Sequence, residues 1–528
     1  MSVKMAPSTI RKYIHLEKEF VTLAAPMCCI ICIQVCLALV TIINAGMIDE
    51  DTLAGVGLAN TVYNVFQFSM MYGYSSVMDT YGPQVFGSIT ERQHLGTVLI
   101  KVWLQGFLVW LTSLGPYLNL VYFMRFMAPA TEEFELVIEK AVVFFRVTCC
   151  LGLLDFTYDT IGKYLSIQGF QVPVYCLSTA TLGFHIFYNY ILIVQLGLGV
   201  EGLGLACIAT RLTGLVLAGL YLFYKRSNMA WAGFTSRVWQ NWSEMVKLGI
   251  SGAVNVFAEM CVFEVATFLS QFIGQTALNT TLILFQITSI SWSIGMGVAY
   301  STSVLLGKAL AQQDKDGSMM IIKAAIANAV LVGLIGFSVE YGLRFELPKL
   351  FSKDEAVRAM TASIMWIPAV NVTITYLQTC LSRGILVSFG KQRFIAATFV
   401  ILGYGVTTPL TFASVFLTDL GPKGIWLNII AFNVANLCIY GIKVYFFTDL
   451  DEELQTVNER VNLTSRPEET AGEETGSVTK KVGDYGAVSV DTDQRGGAIS
   501  TKAYKKGLLF LFAGVWSVVI GSLSLLKG

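Results

Sequence analysis

The sequence predicts an all-α integral membrane protein with two six-helix lobes related by pseudo-two-fold symmetry and one extra C-terminal transmembrane helix. Three observations carry that expectation. The 528 residues are 54% hydrophobic and only 14% charged, with a mean hydropathy of +0.62, whereas soluble domains carry roughly 25% charged residues. Apolar stretches of about the 20 residues that cross a bilayer recur along nearly the whole chain. The chain also repeats itself. Laying residues 52–97 over 276–321, a shift of 224, puts Gly73 on Gly297, Leu58 on Leu282 and Pro83 on Gly307; Leu198-Gly199-x-x-Gly202 matches Leu420-Gly421-x-x-Gly424 at a shift of 222.

Hydropathy places spans near 20–46, 52–82, 97–121, 137–165, 171–195, 200–224, 242–273, 277–306, 320–342, 357–388, 392–417, 421–447 and 506–526. The repeat divides them into an N-lobe over 20–224 and a C-lobe over 242–447, joined by a cytoplasmic loop over 225–241. An even number of spans per lobe makes the repeats parallel, an arrangement in which two bundles rock around a site near the bilayer midplane. Orientation follows the basic residues of short loops. Arg92, Lys163, Lys225, Arg226, Arg237, Lys247, Lys315, Lys391 and Arg393 fall on one side, and Asp49-Glu50-Asp51 and Glu132-Glu133 on the other; one external loop, with Arg344, Lys349 and Lys353, breaks the rule, but the sum favours this topology. This keeps a polar N-terminal tail, 1–19, in the cytoplasm. Residues 448–505, rich in Asp, Glu, Thr, Ser and Gly, bury too little apolar area to offset their ordering entropy. They are expected to form a disordered cytoplasmic tether to a thirteenth helix, 506–526, which ends outside the cell.

Composition also excludes. With 36 basic and 36 acidic side chains there is no positive field to hold nucleic acid. Of the eleven cysteines, Cys28, Cys29, Cys32 and Cys36 share one apolar span and Cys149 and Cys150 another, where thiols behave as small apolar groups. A metal site would need His partners at ligand spacing, and the chain has only His15, His94 and His185. No nucleotide loop, no nucleophile with a plausible base and no His-rich metal motif suggests an enzyme.

Two acids sit inside the seventh span. An acid in the middle of an apolar helix costs about 2.5–3.5 kcal/mol on insertion scales, so Glu259 and Glu264 are candidates for function. A buried carboxylate can be neutralised by a proton or by a cationic ligand, but not fully by both at once; that competition is antiport. Five residues separate the pair, about 140° around a helix. Glu259 is therefore assigned to the cavity between the lobes and Glu264 to a neighbouring inner face, the alternative for each being a fixed hydrogen bond to another helix.

Several stretches resemble the multidrug and toxin extrusion (MATE) family. Leu23-Ala24-Ala25-Pro26, Ala45-Gly46, Leu53-Ala54-Gly55-x-x-Leu58-Ala59-Asn60-x-x-x-Asn64 and Asp79-Thr80-x-x-x-Gln84-x-Phe86-Gly87 are similar to its first two helices. Lys163-Tyr164-Leu165-x-x-Gln168-Gly169 and Asn189-Tyr190, with Leu196-Gly197-x-Gly199-Val200-x-Gly202, resemble its fourth to sixth. Glu259-x-x-x-x-Glu264-Val265 is similar to the paired acids of the eukaryotic branch, and a thirteenth helix after a polar tether to its animal members. The resemblance implies two lobes that alternate access and exchange organic cations for protons at the plasma membrane. It also places Asn64, Phe263, Phe285, Gln286 and Trp292 on the cavity wall, where aromatic faces attract weakly hydrated cations. The chain departs from the pattern at Ile31 (with Gln34 a turn away), Gln286, Tyr376, Gly307-Lys308-Ala309-Leu310-Ala311 and Val387, departures that bear on substrate range and proton stoichiometry.

Three features have no assigned counterpart. Asp155, Asp159 and Lys163 repeat every fourth residue and share one helix face, either as an interfacial ladder or with Asp155 as an extra proton or cation site. His185 is either a neutral hydrogen-bonding group or a pH-responsive relay. Arg383 either snorkels to the inner surface or pairs with an acid. The expectation is a monomeric secondary transporter that exports organic cations and xenobiotics, uses no cofactor and draws on the proton gradient. The alternative is a transporter of the same shape for anionic metabolites, or a lipid flippase.

Overall fold

The computed structural model describes residues 7–127, 132–270, 272–352 and 354–465, and no strand occurs among them. Helices follow in the order α1 (Pro7–Ile48), α2 (Glu50–Tyr63), α3 (Ser69–Gly87), α4 (Leu95–Met127), α5 (Glu132–Thr148), α6 (Leu151–Ile167), α7 (Gln171–Asn189) and α8 (Gly199–Lys225). The second half runs α9 (Trp242–Ser270), α10 (Gln275–Ala311), α11 (Lys315–Gly342), α12 (Glu355–Ile364), α13 (Trp366–Thr379), α14 (Gln392–Leu402), α15 (Thr408–Phe416), α16 (Pro422–Phe446) and α17 (Leu450–Ser465). Wide π-helical turns join α2 to α3 (Asn64–Phe68) and α14 to α15 (Gly403–Thr407), and extend α7 (Tyr190–Gln195) and α13 (Cys380–Leu386). A short turn at Cys149 and Cys150 joins α5 to α6, and α12 meets α13 at a 47° bend. Joined in this way, α1–α8 form six helical paths and α9–α16 another six.

The duplication is visible in atomic detail. Gly199 and Gly421 open α8 and α16 with φ of +55° and +56°, a left-handed backbone that L side chains rarely adopt. A Cβ on Gly202 would lie 3.0 Å from Leu198 Cβ, and one on Gly424 3.1 Å from Leu420 Cβ, so both copies build the same tight turn. Between the lobes, α3 packs on α9 and α10 packs on α1, as a two-fold exchange requires. Each contact passes through the glycine of the repeat. A Cβ on Gly73 would meet the Gly252 carbonyl at 2.5 Å, and one on Gly297 would meet Cys28 Sγ at 2.3 Å. The repeats touch each other where Gly307 accepts Pro83, whose Cβ lies 2.7 Å from the missing one.

Two boundary expectations are corrected. Helix α1 begins at Pro7 rather than near residue 20, because the polar stretch keeps helical spacing: Leu16 is buried and Glu17 accepts a bond from Asn328 Nδ2 at 2.9 Å. The stretch expected to be a disordered tether begins as α17. Leu450, Leu454, Val457 and Val461 recur on one helix face and are buried in a core shared with Leu306, Leu310 and Ile321. Its acidic first turn suits a helix N-terminus and pairs with bases of the C-lobe, Asp451 with Lys315 at 2.5 Å and Glu453 with Lys391 at 2.7 Å. Low mean hydropathy hid this amphipathic stripe. The rest of the tether, the thirteenth helix at 506–526 and residues 1–6 lie outside the described residues.

Candidate functional site

The two lobes enclose a cavity of about 210 Å³. Helix α6 supplies its polar floor, because the four-residue spacing of Asp155, Asp159 and Lys163 aims all three into it. Lys163 is 7% exposed, and its Nζ donates to Asp79 Oδ2 at 2.9 Å and to Ser75 Oγ at 2.8 Å, both on α3. Asp159, its side chain 34% exposed, keeps Oδ2 buried 3.5 Å from the same ammonium, and that oxygen has no hydrogen-bond partner among the described residues. A turn deeper, Asp155 pairs with Arg211 of α8 and takes the Tyr63 hydroxyl on its other oxygen. Arg211 also donates to Gln34 of α1 at 2.6 Å, a bond that ties three elements to one carboxylate. Rings line the remainder: Tyr72 lies 5.5 Å below Lys163, Tyr158 lies 5.7 Å from Arg211, and Trp292 and Tyr300 close the C-lobe side.

The C-lobe contributes one charge to the lining. The π turn Cys380–Leu386 widens the helix at Arg383 and aims the guanidinium at the cavity, 5.9 Å from the Trp292 ring. Such turns often mark functional sites. Arg383 is bonded to Glu259.

Of the expected site residues, only Asp155 and Trp292 line this cavity. Glu259 does not stand open to it, which corrects the sequence reading: Arg383, 124 residues away, holds it within the C-lobe. Glu264 is half-buried and has neither a hydrogen bond nor an ion pair among the described residues. Phe263 and Phe285 meet edge to face at 5.4 Å, and Phe285 packs on Trp426 at 5.0 Å, so these rings build the C-lobe interior. Gln286 is half-buried and Asn64 is exposed at the start of a π turn; neither borders the cavity. His185 is 2% exposed, with Nδ1 2.8 Å from Thr210 and Nε2 near Thr41 (3.1 Å) and Asn189 (3.2 Å), a hydrogen-bonded network that does not border the cavity. Sequence reasoning missed Asp79, Arg211, Tyr63 and Tyr72. Arg211, a cation inside the sixth apolar run, was the signal that could have been followed.

Bonds between the lobes cluster at the end of the molecule that carries α17. Thr80 Oγ1 donates to the Val387 carbonyl at 2.8 Å, Gln84 Nε2 to the Ser388 carbonyl at 2.7 Å, Gln392 Nε2 to Thr80 Oγ1 at 2.6 Å and Ser303 Oγ to the Asp79 carbonyl at 2.8 Å. Arg460 of α17 adds bonds to Gln84 at 3.2 Å and to the Phe389 carbonyl at 3.4 Å.

The family model MatE matches residues 26–191 and 252–413, one segment in each lobe. The chain belongs to the MatE family. Human multidrug and toxin extrusion protein 1 is 26% identical over 426 residues, covering 80% of this chain and 74% of the human protein. An uncharacterised transporter of Schizosaccharomyces pombe is 24% identical, covering 77% of this chain and 74% of that one. The crystal structure of the eukaryotic MATE transporter AtDTX14 superposes with a TM-score of 0.78 at 18% identity, covering 85% of this chain and 99% of that chain; the likeness is one of fold. The MatE fold accounts for the paired lobes, and the protein is a multi-pass membrane transporter of that family.

Proposed function

We propose that this MatE-family protein exports organic cations and xenobiotics in exchange for protons by alternating access, and that Asp159 is the carboxylate for which the two compete. One observation carries the reading. In and beside the cavity stand four carboxylates, Asp79, Asp155, Asp159 and Glu259, and three bases, Lys163, Arg211 and Arg383. Arg211 serves Asp155 and Arg383 serves Glu259. Lys163 can balance one of the remaining two, and Asp79, nearer and hydrogen-bonded, takes it. Asp159, the farther of the two carboxylates that share Lys163, is left with a charge only partly balanced beside the cavity. A proton neutralises it; so does an organic cation, whose apolar body suits Tyr72, Tyr158 and Trp292. Asp79 links that choice to the lobes, since its side chain holds Lys163 while its carbonyl and the next residue, Thr80, bond the C-lobe.

The gradient supplies the energy, and the protein acts as a transporter without a cofactor or enzymatic step. The asymmetry of basic loops supports a cytoplasmic N-terminus; a monomer in the plasma membrane, with the C-terminus outside after a thirteenth span, completes the proposal. Three bases in the lining favour a second reading, an anionic substrate. Purified protein in vesicles separates the two. An imposed pH gradient should concentrate radiolabelled tetraethylammonium, and Asp159→Asn should abolish this. Uptake of organic anions that survives Asp159→Asn, with no uptake of tetraethylammonium, would establish the second reading instead.

A further inference from the structure

Outside the cavity, one buried acid has no role in the arrangement described above. Glu340 of α11 is 3% exposed. One of its oxygens accepts the Ser291 hydroxyl of α10, and the other, Oε2, is buried without a partner. An uncompensated carboxylate in an apolar helix is costly, so a proton or a cation has to offset this one. Among the described residues, no cation of the helices packed against α11 is paired with it. From α13 the neighbour is Tyr376, whose hydroxyl donates to the Ser291 carbonyl at 2.6 Å. From α1 the titratable groups within electrostatic reach of Tyr376 are the thiols of Cys28 and Cys32. From α10 the group beside Glu340 is the Ser291 hydroxyl. Arg383, on the π turn that follows α13, is committed to Glu259. The nearest acid bonded to α11 itself, Glu17, is held by Asn328, twelve residues and about 18 Å down the helix.

We propose that Glu340 is a proton-binding site in the C-lobe, distinct from Asp159, with the proton carried on Oε2. Ser291, its partner, immediately precedes Trp292 on the cavity wall. The packing around Tyr376 is tight: a Cβ on Gly295 would fall 2.7 Å from its ring. Gain or loss of the Glu340 proton therefore reaches the cavity through one residue of α10. Two separated carboxyls give the exchanger a proton site that the cation never touches, so protonation at Glu340 acts on the lobes rather than by displacement.

The proposal rests on the proton-exchange reading for its consequence in transport, but proton binding is measured apart from transport. Infrared difference spectra of the purified protein between about pH 5 and pH 9 should show a protonated-carboxyl band that disappears on alkalinisation, is missing in Glu340→Gln, and titrates at a displaced pH in Ser291→Ala. In vesicles, Glu340→Gln should bind tetraethylammonium as the wild type does and exchange it for unlabelled cation, yet lose accumulation driven by a pH gradient. A band unchanged in Glu340→Gln, or gradient-driven accumulation with the wild-type pH profile in that variant, overturns the proposal. A Glu340 band that titrates in a wild type unable to accumulate tetraethylammonium keeps the proton site and retires the exporter reading.

Discussion

The role given to Asp159 comes from unequal sharing of one ammonium. Lys163 stands 2.9 Å from Asp79 and 3.5 Å from Asp159, and a unit charge pair at such distances is worth about 1–4 kcal/mol where the surroundings are partly hydrated. Asp159→Asn should accordingly weaken tetraethylammonium binding by at least about tenfold, as equilibrium binding to the purified protein would read. Glu259 behaves differently. Among the described residues it pairs with Arg383, both side chains largely buried, and removing one member strands the other at a cost of about 3–5 kcal/mol. Glu259→Gln should therefore lower thermal stability, and the double change Glu259→Gln with Arg383→Gln should recover most of it. A single variant as stable as the wild type would mean the pair is not formed. The sequence could show that Glu259 is an acid in an apolar helix, but its counter-ion comes from another span, a pairing that no local pattern carries. The α6 ladder was legible as spacing; which of its acids lacked a partner depended on Asp79 and Arg211, contributed by α3 and α8.

At the scale of elements, hydropathy found the long apolar helices because their signal is internal to each segment. It missed α17 because that helix is polar on average and apolar only along one stripe, Leu450, Leu454, Val457 and Val461. Leu454→Ala should cost the docked helix roughly 2 kcal/mol; amide exchange should rise across 450–465 and stay slow in α9 and α10. Equal exchange in both proteins would contradict the packing. The repeat makes its own prediction. Gly199 and Gly421 occupy the same left-handed turn, so Gly421→Ala should cost about 1–2 kcal/mol and Gly199→Ala a similar amount, read from thermal unfolding.

For the whole molecule, the pairing of α3 with α9 and of α10 with α1 makes the lobes two rigid bodies that meet along glycine contacts. The bonds between Thr80, Gln84, Val387, Ser388 and Arg460 close one end, and the proposed alternating access requires that end to part. A disulfide between cysteines placed at Gln84 and Ser388 should stop transport until it is reduced; transport at the wild-type rate while cross-linked would show that the lobes need not separate there. The central claim is tested most directly by binding tetraethylammonium to the purified protein across pH. In the wild type, affinity should fall as the pH is lowered, because a protonated Asp159 offers no charge to the cation, and Asp159→Asn should bind weakly with little dependence on pH. An Asp159→Asn protein that binds with wild-type affinity and the same pH dependence would contradict the account.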